Sequence, residues 1–113
     1  MRKVVITGLG VVSCIGNNKN EVLDSLLNTK SGIIFSEDHK KYHFKSQIVG
    51  AVKNLDFSKH IDRKQLRFMG DGSAYNFIAM KEAIKDSGLD EKNVSNNKTI
   101  YEAENLKVGL FKS

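Results

Sequence analysis

Little in this sequence of 113 residues can form a covalent cross-link or cross a membrane. Cys14 is the one cysteine, which excludes an intramolecular disulfide and favours a reducing compartment. No apolar run approaches the roughly 18 residues that a membrane-spanning helix requires. The run after Lys3 is too short for a signal peptide, because Gly8 and Gly10 interrupt it. These absences predict a soluble cytoplasmic protein.

The sequence also lacks proline, internal repeats and low-complexity segments. It is 40% hydrophobic and 27% charged, which is typical of a globular chain and excludes disordered, collagen-like and disulfide-scaffold classes. The length favours one domain at most, with a small core.

The net charge of +5 comes from one segment. Between His39 and Arg67 two carboxylates, Asp56 and Asp62, stand against eight cations, so this segment contains the whole excess. The eight are Lys40, Lys41, Lys45, Lys53, Lys59, Arg63, Lys64 and Arg67. Such clustering indicates an acidic partner.

Residues 4–7 form a short β-branched run that predicts a buried strand in a parallel or mixed sheet. Gly8 and Gly10 follow, in a spacing that invites comparison with the dinucleotide-binding fingerprint. That fingerprint needs a helix beginning at the glycines, whereas here the helix signals begin near Asn18 and Ser13 takes the third position. We therefore favour a tight turn, where the backbone passes close to a neighbouring element, over nucleotide binding.

A first helix is predicted from Asn18, the N-cap, with Glu21 three residues later as in a capping box. Lys30 is expected in its last turn and Gly32 at its stop. An apolar stripe on one face supports it: Val22, Leu23, Leu26 and Leu27. Residues 36–44 are unpatterned and predict a loop, residues 47–52 a second strand and residues 107–111 a third.

A second long helix is predicted from Asp62, the N-cap, with Gln65 at N3 and a hydrophobic staple between Ile61 and Leu66. Its apolar stripe is Leu66, Met69, Ser73, Phe77, Met80 and Ile84, and Gly88 ends it. Gly70 and Gly72 each weaken the pattern by about 1 kcal/mol relative to alanine, so a break into two helices is an alternative.

Two candidate sites have simpler structural interpretations. Cys14 lies in an apolar turn without a patterned histidine, so a small buried hydrophobic side chain is favoured over a nucleophile. His39 and His43 have the i, i+4 spacing of helical metal ligands, but the residues between them show no helical pattern. We predict neither a metal nor a cofactor.

Arg63, Lys64 and Arg67 share one face of the predicted second helix. Cations in the first turns of a helix interact unfavourably with the helix dipole, so their presence there needs another explanation. Two remain open: a solvated basic face, or a binding surface for an acidic protein or a phosphate. Without an aromatic platform or a recognition motif, nucleic-acid binding is not favoured.

Residues 2–18 resemble the opening of the β-ketoacyl-[acyl-carrier-protein] synthases, closest to those that elongate fatty acids in bacteria. Further segments match in the same register: 21–23, 31–33, 50–53, 61–69, 83–89 and 108–110. The resemblance implies an α/β chain with a partial thiolase-like fold, whose complete form is a layered αβαβα homodimer. It also implies a decarboxylative condensation, in which a cysteine carries the acyl chain, malonyl carrier protein supplies two carbons, and two histidines and a lysine assist.

None of the four family catalytic residues matches Cys14, His39, His43 or His60. Residues 1–113 are therefore expected to be an incomplete amino-terminal portion of a synthase domain, inactive alone. A shortened gene, a deliberately cut chain and an incomplete gene model all remain open as explanations. The resemblance also implies that a set of cations helps to dock the acidic carrier protein. These cations are Arg63, Lys64, Arg67 and, further away in the sequence, Lys45.

Two functional hypotheses follow. The first is an acyltransferase by family, the condensing enzyme of fatty acid elongation, with acyl carrier protein as its partner. The second is a small non-catalytic module that binds acyl carrier protein.

Overall fold

The structure, a computed structural model, describes residues 3–97 and 99. These residues form two compact units, which we call the hairpin unit (residues 11–55) and the helical unit (residues 3–10 with 56–97 and 99). The elements, in chain order, are α1 (Lys19–Leu27), β1 (Ile33–Phe35), α2 (Glu37–Lys41), β2 (Ile48–Gly50), α3 (Arg63–Leu66), α4 (Asp71–Ser87) and α5 (Glu91–Val94). The described part of the chain is thus a mixture of helix and strand.

The predicted capping of α1 is confirmed. The Asn18 side chain accepts a hydrogen bond from the Glu21 N–H at 3.0 Å. The Glu21 carboxylate accepts in turn from the backbone N–H of Asn17 at 2.8 Å, one residue before the position that a standard capping box uses. One orphan donor of the helix, the Glu21 N–H, and the backbone N–H of the residue before the cap are thus satisfied locally.

The end of α1 was predicted too late. The helix stops at Leu27, because Asn28 caps it and Thr29 adopts a positive φ of 54°. Lys30 lies beyond the last turn but reaches back to Asp24 in an ion pair of 2.5 Å. The apolar stripe of α1 is largely exposed, with Leu23 at 55%, Leu26 at 65% and Leu27 at 75%.

The prediction of a loop over residues 36–44 was wrong, because α2 occupies most of it. Ser36 caps this helix by accepting from the His39 N–H at 3.2 Å. Two carboxylates lie in its first turn and cations in its last, as the helix dipole favours. Apolar periodicity does not reveal so short a helix, since its signals are the cap and the order of charges.

The second predicted strand is confirmed at its centre as β2. It pairs antiparallel with β1, which was not predicted, and Ile34 lies opposite Val49. The two strands alternate, so that Ile34 and Val49 are half-buried while their neighbours are exposed.

The prediction of a buried strand at residues 4–7 was wrong. Within residues 3–97 and 99 the named strands are β1 and β2, and residues 4–7 pair with neither. Val4 is 85% exposed, Val5 73% and Ile6 92%. A β-branched run satisfies its backbone groups as a strand only where a neighbouring strand supplies partners.

The alternative of a broken second helix is confirmed. Asp62 caps α3 by accepting from the Lys64 N–H at 3.2 Å. Helix α4 begins after Gly70, its N-cap, and ends at Gly88, which has a φ of 66°.

The break also shifts the apolar face of α4. The buried residues of the helical unit are Ile61, Ala74 and Ile78, whereas Ser73 of the predicted stripe is exposed. Phe77, Met80 and Ile84 of the predicted stripe are half-buried, so the stripe is confirmed in part, but the most buried positions of α4 lie one residue further along the chain.

Two further predictions concern the end of the chain. The polar tract from residue 90 contains α5, capped by Asp90, whose side chain accepts from the Asn93 N–H at 2.9 Å. The predicted third strand at residues 107–111 lies outside the described residues. Within those described, no helix has the length and apolar character needed to cross a bilayer.

Candidate functional site

Helix α3 and the residue that caps it present the basic cluster, which we define as Arg63, Lys64 and Arg67. All three side chains are exposed, so their charges face solvent. Arg63 and Lys64 begin α3, and Arg67 is its C-cap. The sequence predicted all three near the start of one long helix. Because α3 ends at Leu66, Arg67 instead lies at a helix C-terminus, where the dipole favours a cation.

The cluster rests on a well-anchored segment. Ile61, just before the N-cap, is only 3% exposed, and its N–H donates to the Phe57 carbonyl at 2.9 Å. The Phe57 ring packs against Tyr75 of α4 with centroids 5.3 Å apart. The Lys81 ammonium of α4 donates to the His60 carbonyl at 3.3 Å. Contacts with α4 therefore fix the chain that leads into α3.

An exposed aromatic side chain, which was not predicted from the sequence, follows the cluster directly in the chain. Phe68 follows Arg67 directly and is 92% exposed. It lies outside the apolar stripe of the predicted second helix, and this was the signal available in the sequence. A single ring is not the series of rings on which successive bases of a nucleic acid stack.

Lys45 lies in the hairpin unit, in the connection between α2 and β2, and is exposed. The residues on both sides of it are tied to His39. The Phe44 N–H donates to the His39 carbonyl at 2.9 Å, and the His39 ring nitrogen Nδ1 lies 3.1 Å from the Ser46 carbonyl. The Phe44 and His39 rings also meet edge to face at 4.9 Å.

The histidine pair does not have the geometry of metal ligands on one helix. Helix α2 ends at Lys41, and His43 lies beyond it with a φ of 56°, so the i, i+4 helical geometry is lost. Across residues 3–97 and 99, no three side chains of the metal-binding types come together.

Cys14 is half-buried, less than we predicted. It packs against two glycines, since a Cβ on Gly32 would lie 2.6 Å from its Sγ and one on Gly50 would lie 3.2 Å away. The Cys14 side chain therefore fills the space beside these two glycines, which is the packing role predicted from the sequence.

The glycines of the opening turn are also explained by packing. A Cβ on Gly8 would overlap the Ala83 carbonyl of α4, and one on Gly10 would overlap the Ala79 carbonyl. The close backbone approach predicted from the sequence is confirmed. A shallow pocket beside Gly8 is lined by side chains of which none is ionisable: Thr7, Met80, Ala83, Ile84, Ser87, Leu89, Val94 and Thr99.

Residues 1–109 match the model of the β-ketoacyl synthase N-terminal domain. The chain belongs to the β-ketoacyl synthase family. It is 52% identical over 99 residues to 3-oxoacyl-[acyl-carrier-protein] synthase 1 of Haemophilus influenzae, covering 88% of this chain and 24% of that protein. It is 50% identical over 97 residues to the synthase 1 of Escherichia coli strain K12, covering 86% and 24% respectively. A synthase 2 of Staphylococcus aureus is more distant, at 36% identity over 91 residues, 79% of this chain and 22% of that protein.

The chain therefore spans about a quarter of the length of the curated synthases it matches. The resemblance inferred from the sequence is confirmed, including its closeness to the fatty acid elongation enzyme. The hypothesis of a small non-catalytic binding module gains no support, because the match is to a synthase domain.

Proposed function

We propose that this chain is part of a β-ketoacyl-[acyl-carrier-protein] synthase, a transferase that condenses an acyl chain with malonyl carrier protein in fatty acid elongation, and that its part in that enzyme includes docking of the carrier protein. Its relatives are named for an acyl-carrier-protein substrate. The observation on which the proposal depends is the exposed basic cluster of Arg63, Lys64 and Arg67 on an anchored turn. Lys45 is proposed as a further contact from the hairpin unit.

The physical role of these cations is to attract and orient an acidic protein. Exposed charges steer encounter and fix register, and each contributes modestly because water and salt screen it. None of the four residues that the family uses for bond formation has a match in residues 1–113. Docking is accordingly the step that we assign to these residues.

The architecture that we propose is one incomplete domain of the thiolase-like type, of which the described helices and strands form part. The homodimer and the cytoplasmic location remain predictions from the family and the sequence. The absence of nucleic-acid, metal and cofactor binding likewise remains a prediction.

The docking proposal is tested by titrating fluorescently labelled acyl carrier protein with this chain. We expect a micromolar dissociation constant that weakens as salt rises. The double variant Arg63→Glu plus Lys64→Glu should abolish binding. The control is Lys85→Glu plus Lys92→Glu, two exposed lysines of the same unit, which changes net charge equally. Equal loss in both double variants would show a non-specific charge effect and contradict the proposal.

The assignment to docking rather than chemistry has its own test. The purified chain is mixed with acyl and malonyl carrier protein, and the β-ketoacyl product is measured. We expect none, because Cys14 packs between glycines and no catalytic set is present. Product formation above the background rate would overturn this assignment.

A further inference from the structure

We infer that His39 is a positioning residue for carrier-protein docking, because it fixes the stretch of backbone that carries Lys45. This inference rests on the docking function proposed above and adds to it a residue outside the four docking cations. Its starting point is that His39 makes hydrogen bonds to the residues on both sides of Lys45, one through its backbone and one through its ring.

The backbone contact belongs to the motif that ends α2. The Phe44 N–H donates to the His39 carbonyl at 2.9 Å, and the His43 N–H donates to the Lys40 carbonyl at 3.1 Å. Together with the positive φ of His43, 56°, these bonds form a Schellman motif. Such motifs often include a side-chain contact across the outer bond, and the rings of Phe44 and His39 supply it at 4.9 Å. The chain therefore leaves α2 in a defined direction immediately before Lys45.

The ring contact fixes the chain on the other side. The His39 ring nitrogen Nδ1 lies 3.1 Å from the Ser46 carbonyl oxygen. A carbonyl oxygen only accepts hydrogen bonds, so Nδ1 must carry the proton in this contact. With Phe44 held by the backbone of His39 and Ser46 held by its ring, the backbone of Lys45 is fixed at both ends.

The remaining contacts of His39 lie in the same connection, residues 36–47. The Ser36 hydroxyl accepts from the His39 N–H at 3.2 Å, and the Ser36 N–H donates to the Gln47 carbonyl at 2.8 Å. All of these bonds join residues within the connection between β1 and β2. The backbone around Lys45 is thus set by its own neighbours in the chain.

A fixed backbone matters for Lys45 because a lysine side chain is long and loses much rotational freedom when it is ordered. If the backbone beneath it also had to be ordered on binding, the loss would be greater. Holding that backbone in place before the carrier protein arrives reduces the entropic cost of the contact. His39 therefore acts on affinity through Lys45 rather than through a contact of its own.

The first test substitutes His39 and uses the titration with labelled carrier protein. His39→Ala should weaken binding by about threefold, the scale of one exposed charge contact. His39→Asn places an amide N–H close to the position of Nδ1 and should restore most of the affinity. His39→Gln, whose amide lies nearer the position of Nε2, is the matched control and should resemble His39→Ala. Equal affinities of the asparagine and glutamine variants would contradict the inference.

A double-mutant cycle shows whether His39 acts through Lys45. In a Lys45→Ala background, His39→Ala should have no further effect, because both substitutions remove the same contact. In a Lys64→Ala background, the control, its threefold effect should persist in full. An undiminished effect of His39→Ala without Lys45, or wild-type affinity of Lys45→Ala, would overturn the inference and leave docking by the basic cluster standing. No binding by the wild-type chain at low salt would overturn both.

A measurement on the unsubstituted chain avoids any effect of mutation on folding. Nitrogen-15 chemical shifts of the imidazole report which ring nitrogen carries the proton when the ring is neutral. We expect the proton of His39 on Nδ1, as the bond to the Ser46 carbonyl requires. A neutral ring with its proton on Nε2 would contradict the inference, whatever the variants show.

Discussion

Gly10 lies directly against the carbonyl group of Ala79, and the backbone of α4 leaves no room for a side chain between them. Gly10→Ala would force a Cβ into backbone atoms that cannot rotate away. We expect a loss of about 2 kcal/mol or more in the free energy of unfolding. Chemical denaturation followed by circular dichroism measures it, and unchanged stability would show that residues 3–10 do not pack on α4.

Gly72 provides the opposite case and serves as the control. It lies in the first turn of α4, and a Cβ there would meet no heavy atom within 4 Å. Gly72→Ala should raise the free energy of unfolding by about 0.5–1 kcal/mol, because alanine loses less conformational entropy in a helix. The same denaturation experiment decides it, and a decrease would mean that the glycine has a role the structure does not show.

Asn18 is expected to stabilise α1 as its cap. Asn18→Ala removes the acceptor of the Glu21 N–H and should cost about 1 kcal/mol, with a loss of helical circular dichroism signal. Asn20→Ala, inside the same helix at an exposed position, is the control. It should be neutral or stabilising, since alanine is the better helix former. Equal losses in both variants would argue against the cap.

Asp56 is expected to titrate at low pH. Hydrogen bonds from the Ser58 hydroxyl at 2.6 Å and the Ser58 N–H at 3.0 Å stabilise the charged form and lower the pKa of Asp56. A lowered folded-state pKa means that the carboxylate stabilises the fold above the unfolded-state pKa of about 4. This contribution is lost as the pH falls through the folded-state value.

Carboxyl chemical shifts from nuclear magnetic resonance measure the effect. Ser58→Ala should bring the pKa of Asp56 back toward its ordinary value. The pKa of Asp24 is lowered as well, by the Lys30 ammonium, and should stay low in that variant. If the pKa of Asp56 does not move in Ser58→Ala, the hydroxyl is not the cause.

The exposed leucines of α1 are expected to promote self-association. Leu26 and Leu27 are both more than half exposed, and apolar patches of this kind favour contact between molecules. Leu26→Glu plus Leu27→Lys, which leaves net charge unchanged, should reduce concentration-dependent association in analytical ultracentrifugation. Association that persists unaltered would place the contact elsewhere.

The sequence predicted those helix boundaries that a capping side chain or a glycine sets within a few residues. Asn18 and Asp62 cap their helices through hydrogen bonds to residues two or three positions away. Gly88 ends α4 by adopting a positive φ, and Gly70 separates α3 from α4. The basic cluster was also visible in the sequence, because its members lie within five residues of one another. The family itself followed from residues spread along the chain in one register.

The tertiary structure decided what depends on distant partners. Residues 4–7 have strand composition but pair with neither named strand of the described chain, whereas β1 pairs with β2 across a connection that contains a helix. The exposure of Phe68 and the burial of Ala74 and Ile78 followed from where α3 stopped and α4 began anew. A cap or a stop is a hydrogen bond or a dihedral angle that a few neighbouring residues control. Strand pairing and burial depend on backbone and side chains brought together from far along the chain, and composition alone does not specify them.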